Sequence, residues 1–285
     1  MAGGTLREIV LGPAGPEQAA RLQFYVDVTG AALADSGECP EAVALAQLVM
    51  EAFGSVPAAV LRRRLASLRV VAASRARAAS AVAPVLRRGE GPVEVLGRRH
   101  PHAGFFALEE LELTHPRFDG GRSPRLRREV FVAGDAVTVL PYDPVRDRVL
   151  LIEQFRMGPF GRGDPHPWQL EAIAGRIDPG ETPEEAARRE AVEEAGLVLG
   201  ALEKVAEYYP TPGAVTEYLY SYVALCDLPD GVAGLFGAAE EAEDIRGQLV
   251  EVDRLIEVAA SGEIGNAPLL LTVLWMQRER GRLRG

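Results

Sequence analysis

The sequence predicts an α/β protein: an α/β/α sandwich with a mixed sheet, preceded by a small, mostly helical N-terminal domain. Two observations carry this. Near residue 90 the texture changes, from Ala-, Arg- and Val-rich segments with helical apolar spacing to short strand-like runs broken by turn residues. In the second part the order is strands, a helix, strands and helices, which suits a mixed sheet better than a doubly wound parallel one. At 285 residues the chain is long for one domain and comfortable for two. The expected domains are 1–92 and 93–285.

In the first part, PEQAARLQFYV (16–26), PEAVALAQLVMEAF (40–53) and PAAVLRRRLASLRVVAASRARAASAVAPVL (57–86) have helical periodicity. Each opens at a proline, whose fixed φ suits a first helical turn. RRGEGPVEVLGRRHPHAG (87–104) mixes Gly, Pro and charge and reads as a linker. From Phe105 onward strands are expected, in LEELELTHPRF, REVFVAG, DAVTVLPYD and RVLLIEQF. DPVRD, from Asp143 to Asp147, is a hairpin turn, because Pro144 presets the dihedral of its second position. Further strands are expected in LEKVAEYY and EYLYSYVALCDL. VDRLIEVAASG and APLLLTVLWMQRER read as C-terminal helices.

Bulk chemistry excludes several function classes. The net charge is −10 and the pI near 5.1, which argues against a nucleic-acid surface or an anionic membrane. An anionic substrate remains open if divalent metal stands between the partners. Cys39 and Cys226 lack a CxxC companion, so neither a structural zinc site nor a disulfide framework is expected. No apolar run reaches the roughly 20 residues that span a bilayer, and MAGGTLREIVLG has no signal-peptide core. A cytoplasmic protein is expected.

The densest charge lies in GRIDPGETPEEAARREAVEEAGL, from Gly175 to Leu197. Thr182-x-x-Glu185 is a capping box with Pro183 at the first helical position, and Gly196 suits a left-handed cap. The helix should run from Pro183 to about Ala195. Glu190, Glu193 and Glu194 then stand at i, i+3 and i+4, on one face. Like charges so placed repel, unless a cation sits among them. Oxygen ligands at this spacing suit Mg²⁺; a solvated acidic face is the other reading of the spacing alone.

The order of residues (Gly175, Glu181, Arg189-Glu190, Glu193-Glu194, Gly196) resembles the Nudix box, the signature of hydrolases of nucleoside diphosphates linked to another group. Ala191 stands where that family more often has a larger aliphatic residue. The resemblance implies a loop–helix–loop holding divalent cations, Mg²⁺ with Mn²⁺ as substitute. Glu190 and Glu194 would be ligands, with Glu193 close by in a catalytic role. Glu181 and Arg189 would brace the loop. The flanks RVLLIEQFRMGPF, YYPTPGAVTEY and EEAEDIR resemble the ADP-ribose pyrophosphatase branch, with Pro212 fifteen residues past Leu197. That branch implies the Ala174 carbonyl and Glu243 as further metal ligands and Glu241 as the catalytic glutamate. It implies Arg156 on the substrate phosphates, Arg128 and Glu129 at the adenine end, and Pro212 and Glu217 among the substrate contacts. A homodimer acting on a small-molecule nucleoside diphosphate sugar is implied too. The expected reaction is Mg²⁺-dependent hydrolysis of ADP-ribose to AMP and ribose 5-phosphate. PGAVTE also resembles GDP-mannose-cleaving relatives. A non-catalytic ADP-ribose sensor is the alternative from another class, which degenerate box carboxylates would favour; here they are complete. Ahead of this region, GTLREIVLG and ARLQFY resemble a γ-glutamylcyclotransferase-like domain found fused to bacterial Nudix proteins of the tellurite-resistance type. Residues 1–92 are read as a reduced, accessory version.

Overall fold

The computed structural model describes residues 4–33, 39–79, 85–87, 89, 91–104, 106–237 and 243–285. It divides into two compact units. The first comprises residues 1–135 with 178–180 and 211–217; the second comprises 136–177, 181–210 and 218–285.

The first unit opens with α1 (Leu6–Leu11), α2 (Gln18–Thr29), α3 (Pro40–Glu51), α4 (Ala58–Arg63) and α5 (Leu65–Ala78). Thr5 caps α1 reciprocally with Glu8. Val10, Tyr25, Val28, Ala46, Val49 and Leu61 form its small core. The third expected helix is broken at Arg64, whose backbone (φ −106°, ψ 11°) leaves the helical region. Its residues 80–84 lie outside the described residues. A three-stranded antiparallel sheet follows, β1 (Glu94–Ala103), β2 (Ala107–Thr114) and β3 (Leu126–Val132), in that order. The linker expected over 87–104 is therefore corrected: most of it is β1. Gly97 and Pro101 are breakers only locally. Each falls at a register shift, and β1 is an edge strand that tolerates a residue without an N–H. The expected boundary at residue 92 separates this unit's helices from its sheet.

The second unit contains β4 (Ala136–Asp143), β5 (Arg148–Phe155), α6 (Met157–Arg162), β6 (Trp168–Glu171), β7 (Ile173–Arg176) and α7 (Pro183–Ala195). It continues with β8 (Leu202–Tyr208), β9 (Leu219–Leu225), β10 (Leu235–Phe236), β11 (Ile245–Glu251), α8 (Val252–Ser261) and α9 (Ala267–Arg284). Its eight-stranded sheet runs β10-β11-β5-β4-β9-β8, with β6 on β5 and β7 on β4. Among the described residues only the β4–β9 pair of this sheet is parallel, so the sheet is mixed as expected. The DPVRD hairpin is present. The Asp143 carboxylate accepts the N–H groups of Val145 and Arg146, and Asp147 takes a left-handed φ of 56°.

The sheet's alternation builds two cores. Val137, Val139, Leu150 and Ile152 face α7, which meets them with Ala186, Ala187, Ala191 and Ala195. Val149, Leu151, Leu140 and Tyr142 face α8 and α9 through Leu255, Leu269, Val273 and Met276. This is an α/β/α sandwich, with strand period 2 feeding opposite faces. The four alanines bring α7 close to the sheet. β4 and β5 pair only beside their turn, at Tyr142↔Val149 and Asp143↔Arg148, and then part. β7 takes the freed edge of β4 and β6 that of β5. That split lays β7 beside α7. Among the described residues, no helix is long and apolar enough to cross a membrane.

Candidate active site

The site grows from the ends of α7. Thr182 Oγ1 accepts the Glu185 N–H at 3.2 Å, and Glu185 Oε2 accepts the Thr182 N–H at 2.8 Å. Gly196 closes the helix in the left-handed conformation at φ 62°. With both ends set locally, the angular position of each glutamate follows.

Burial sorts the three carboxylates differently from their spacing. Glu190 and Glu194 are 9% and 3% exposed, whereas the Glu193 side chain is half exposed. A cation of the chain's own sits beside two of the three. Arg189 Nη1 donates to Glu190 at 2.7 Å and to Glu193 at 3.0 Å. Arg189 precedes Glu190 by one residue and Glu193 by four, so one guanidinium reaches both. Its Nε and Nη2 grip Glu181 at 2.9 Å each, and Nη2 also donates to the Arg176 carbonyl at 2.9 Å. Arg189 thus braces the preceding loop against the helix. The Glu181 hydrogen bonds are the main reason its pKa lies above even the usual arginine range.

Among the described residues, no cation donates to Glu194; its Oε2 accepts the Ala174 N–H at 3.0 Å. Burial pushes its pKa up to about 8; the Ala174 N–H opposes this, and the charges of Glu190 and Glu243 add to it. Burial likewise raises Glu190, partly offset by Arg189. Burial without a hydrogen-bonded cation raises a carboxyl in this way, and the Arg156 charge offsets it only in part. Ala174 lies on β7 opposite Thr138. A strand residue's N–H and C=O leave along the same edge, so its carbonyl is directed to the side where Glu194 sits. Gly175 explains itself by contact: a Cβ there would overlap the Glu190 carboxylate. The glycine is needed for close approach rather than for a turn.

Arg156 occupies the N-cap position of α6, and its guanidinium donates instead to Glu171 Oε2 through Nε at 3.0 Å and Nη2 at 2.5 Å. Partial burial works against its charge, but Glu171, with Glu194 and Glu243 beyond it, raises its pKa. Arg156, Ala174, Glu190, Glu194 and Glu243 therefore share one electrostatic neighbourhood in the second unit. Among the described residues, no three His, Cys, Asp or Glu side chains converge closely enough to hold a metal ion as they stand. Glu190 is turned to Arg189 and Glu194 to the strand. The donor set is nonetheless all oxygen, with Glu190 and Glu194 buried and Glu194 without a cation at hydrogen-bond distance among the described residues, which fits a hard divalent cation.

The other expected residues are distributed as follows. Arg128 and Glu129 lie on β3 of the first unit, and both are exposed. Pro212 and Glu217 belong to that unit's 211–217 segment, which is pinned to β3 by Phe131 N–H to Ala214 O at 2.8 Å and Thr216 N–H to Phe131 O at 3.0 Å. Glu241 lies outside the described residues. Two residues that sequence reasoning did not single out join the site, Glu171 and Asn266, and no motif marks either. The second unit's open cavity of about 1010 Å³, walled by Glu153, Arg162, His166, Trp168, Gln248 and Glu263, is not this site. It lies on the α8–α9 side of the sheet, where Leu170 also packs.

Residues 133–272 match the NUDIX domain family. An ADP-ribose pyrophosphatase of Escherichia coli strain K12 is 37% identical over 196 residues, covering 69% of this chain and 93% of that protein. One from Haemophilus influenzae is 34% identical, covering 67% and 89%. A GDP-mannose pyrophosphatase of Salmonella arizonae is 36% identical over 179 residues, covering 62% and 92%. A solved structure of an ADP compounds hydrolase superposes with a TM-score of 0.53 at 21% identity, over 70% of this chain and all of that one; it is a likeness of fold. Identity of that size, sustained over nearly the whole length of bacterial relatives, makes this chain a member of the Nudix hydrolase family.

Proposed function

We propose that this Nudix hydrolase cleaves the pyrophosphate bond of ADP-ribose, giving AMP and ribose 5-phosphate, with Mg²⁺ as the resident cation and Mn²⁺ as a substitute. The observation that carries this reading is the buried Glu190–Glu194 pair beside Ala174, with Arg156 within electrostatic reach of Glu194 and negative charge in excess. The names of the E. coli and H. influenzae relatives support the substrate.

In this reading Glu190, Glu194, Glu243 and the Ala174 carbonyl hold the metal. When bound, the cation screens the pyrophosphate oxygens and makes a bound water easier to deprotonate. Arg189 keeps Glu190 in place and Glu181 attached to the helix. Arg156 offers a planar donor edge to a phosphate, geometry that a lysine cannot supply. Glu241 takes the proton of the attacking water, and Glu193, at the exposed rim, assists. Arg128 and Glu129 serve the adenine end from a second copy of the chain in a homodimer. Pro212 and Glu217 line the substrate.

The GDP-mannose pyrophosphatase relative favours a second reading, in which the diphosphate chemistry is the same and the sugar nucleotide differs. A panel of nucleoside diphosphate sugars, assayed against Mg²⁺ and Mn²⁺ titrations, separates the two. ADP-ribose should give the highest kcat/KM, with AMP as a product. ADP-ribose left intact at saturating Mg²⁺ and Mn²⁺ sinks the first reading.

A further inference from the structure

We propose that Glu171 is the positioning residue for Arg156, and that Asn266 anchors it to α9. The inference rests on the reading of Arg156 as a phosphate contact.

Glu171 ends β6 and is 5% exposed. Its two oxygens divide the work. Oε2 accepts Arg156 Nε and Nη2, with Gln154 Nε2 more distant at 3.4 Å. Oε1 accepts Asn266 Nδ2 at 2.8 Å. Asn266 is the N-cap of α9, its Oδ1 accepting the Leu269 N–H at 2.9 Å. A continuous polar chain therefore runs from the first turn of a long, core-packed helix, through Asn266 and Glu171, to the Arg156 guanidinium. Glu171 takes two of the five guanidinium N–H donors on one edge. The Nη1 side stays available for another acceptor, on a side chain still 40% exposed.

An ordinary structural ion pair would need neither feature. A free arginine loses rotamer freedom when a ligand immobilises it. Glu171 fixes Nε and Nη2 in advance, so the remaining Nη1 side is held in place before substrate arrives. Both Glu171 oxygens face donors only. A glutamine of the same shape must turn its NH₂ towards either Arg156 or Asn266, so one arm of the chain breaks. Asn266 cannot flip to compensate without turning its own NH₂ onto the Leu269 N–H.

The test uses the full chain and whichever of ADP-ribose and GDP-mannose the wild type turns over faster. A wrong substrate assignment then shows in the wild type alone, and the comparison among variants proceeds on the other substrate. Glu171→Gln should raise KM by at least about tenfold and lower kcat by less than that. Asn266→Ser, which keeps a capping hydroxyl and removes the tether, should raise KM in the same direction by less. Added guanidinium should partly restore an Arg156→Ala variant and leave the Arg156→Ala/Glu171→Gln double variant unrestored. Thermal unfolding is followed throughout, so that a fraction lost to misfolding is scored separately. Three outcomes overturn the proposal: an unchanged KM in Glu171→Gln with only the melting temperature lowered, equal guanidinium rescue of both alanine variants, or an unchanged KM in Arg156→Ala.

Discussion

Replacing Gly175 by alanine tests the construction of the site with a single methyl group. The new Cβ would occupy the space of the Glu190 carboxyl carbon and oxygens. The strand cannot give way, so the Glu190 carboxylate must shift. β7 is held to β4 by the register Thr138↔Ala174, Val137↔Gly175 and Ala136↔Arg176. Glu190 is 9% exposed and tied to Arg189 at 2.7 Å. Overpacking of this kind costs about 1–3 kcal/mol. If Glu190 is the metal ligand proposed above, the larger effect falls on catalysis, because a misplacement of about 1 Å in a catalytic site costs on the order of 10²-fold in rate. Gly196→Ala is the matched control. Gly196 takes φ 62°, so alanine there is strained by about 1 kcal/mol, but its Cβ meets only the Phe236 ring at 3.7 Å. The two variants should lose comparable stability. Gly175→Ala alone should also lose about a hundredfold in kcat/KM and need more Mg²⁺ for half-maximal rate. Steady-state kinetics over a Mg²⁺ titration, with thermal unfolding alongside, decide it. Near wild-type turnover in Gly175→Ala, or equal catalytic damage in Gly196→Ala, refutes the reasoning.

Two further outcomes follow from buried carboxylates of opposite character. Glu194→Gln should cut kcat by about 10²–10³-fold yet raise the melting temperature when EDTA is present. A neutral amide keeps the bond from the Ala174 N–H, its only hydrogen-bond donor among the described residues, and removes a carboxyl that the fold holds protonated where the unfolded chain would ionise it; a lower melting temperature in EDTA contradicts this. Asp143 behaves in the reverse sense. Burial opposes its charge, but the N–H groups of Arg146, Leu228 and Val145 and the Arg146 guanidinium hold its pKa at about 2, against an ordinary 3.8. A depressed carboxylate stabilises the fold above its unfolded pKa, here by roughly 2 kcal/mol, and that gain is lost as pH falls from about 4 through about 2. Asp143→Asn should therefore lower the urea midpoint at pH 7, with a gap from wild type that narrows below pH 4. A gap constant down to pH 2.5 contradicts it.

Local chemistry was legible in the sequence, and convergence was not. Thr182, Pro183, Glu185 and Gly196 define α7 within a few residues of themselves, so its ends could be read without tertiary information. Glu190, Glu193 and Glu194 could be placed on one helix, but spacing cannot say which of them the sheet buries. That depends on where Ala186, Ala187, Ala191 and Ala195 dock. β1 read as a linker because Gly97 and Pro101 dominate any local window, whereas pairing with β2 overrides them. Glu171 and Asn266 are separated by 95 residues and meet only because β6 pairs with β5 and α9 begins beside them. Gly175 shows the limit most sharply. Within a motif, a glycine invites a turn reading, yet this one lies in a strand and does not take a positive φ. What excludes a side chain there is a carboxylate fifteen residues later in the chain, delivered by a helix whose own position depends on small residues. The motif's first glycine and its buried glutamates are thus one packing constraint, and neither can be altered without moving the other.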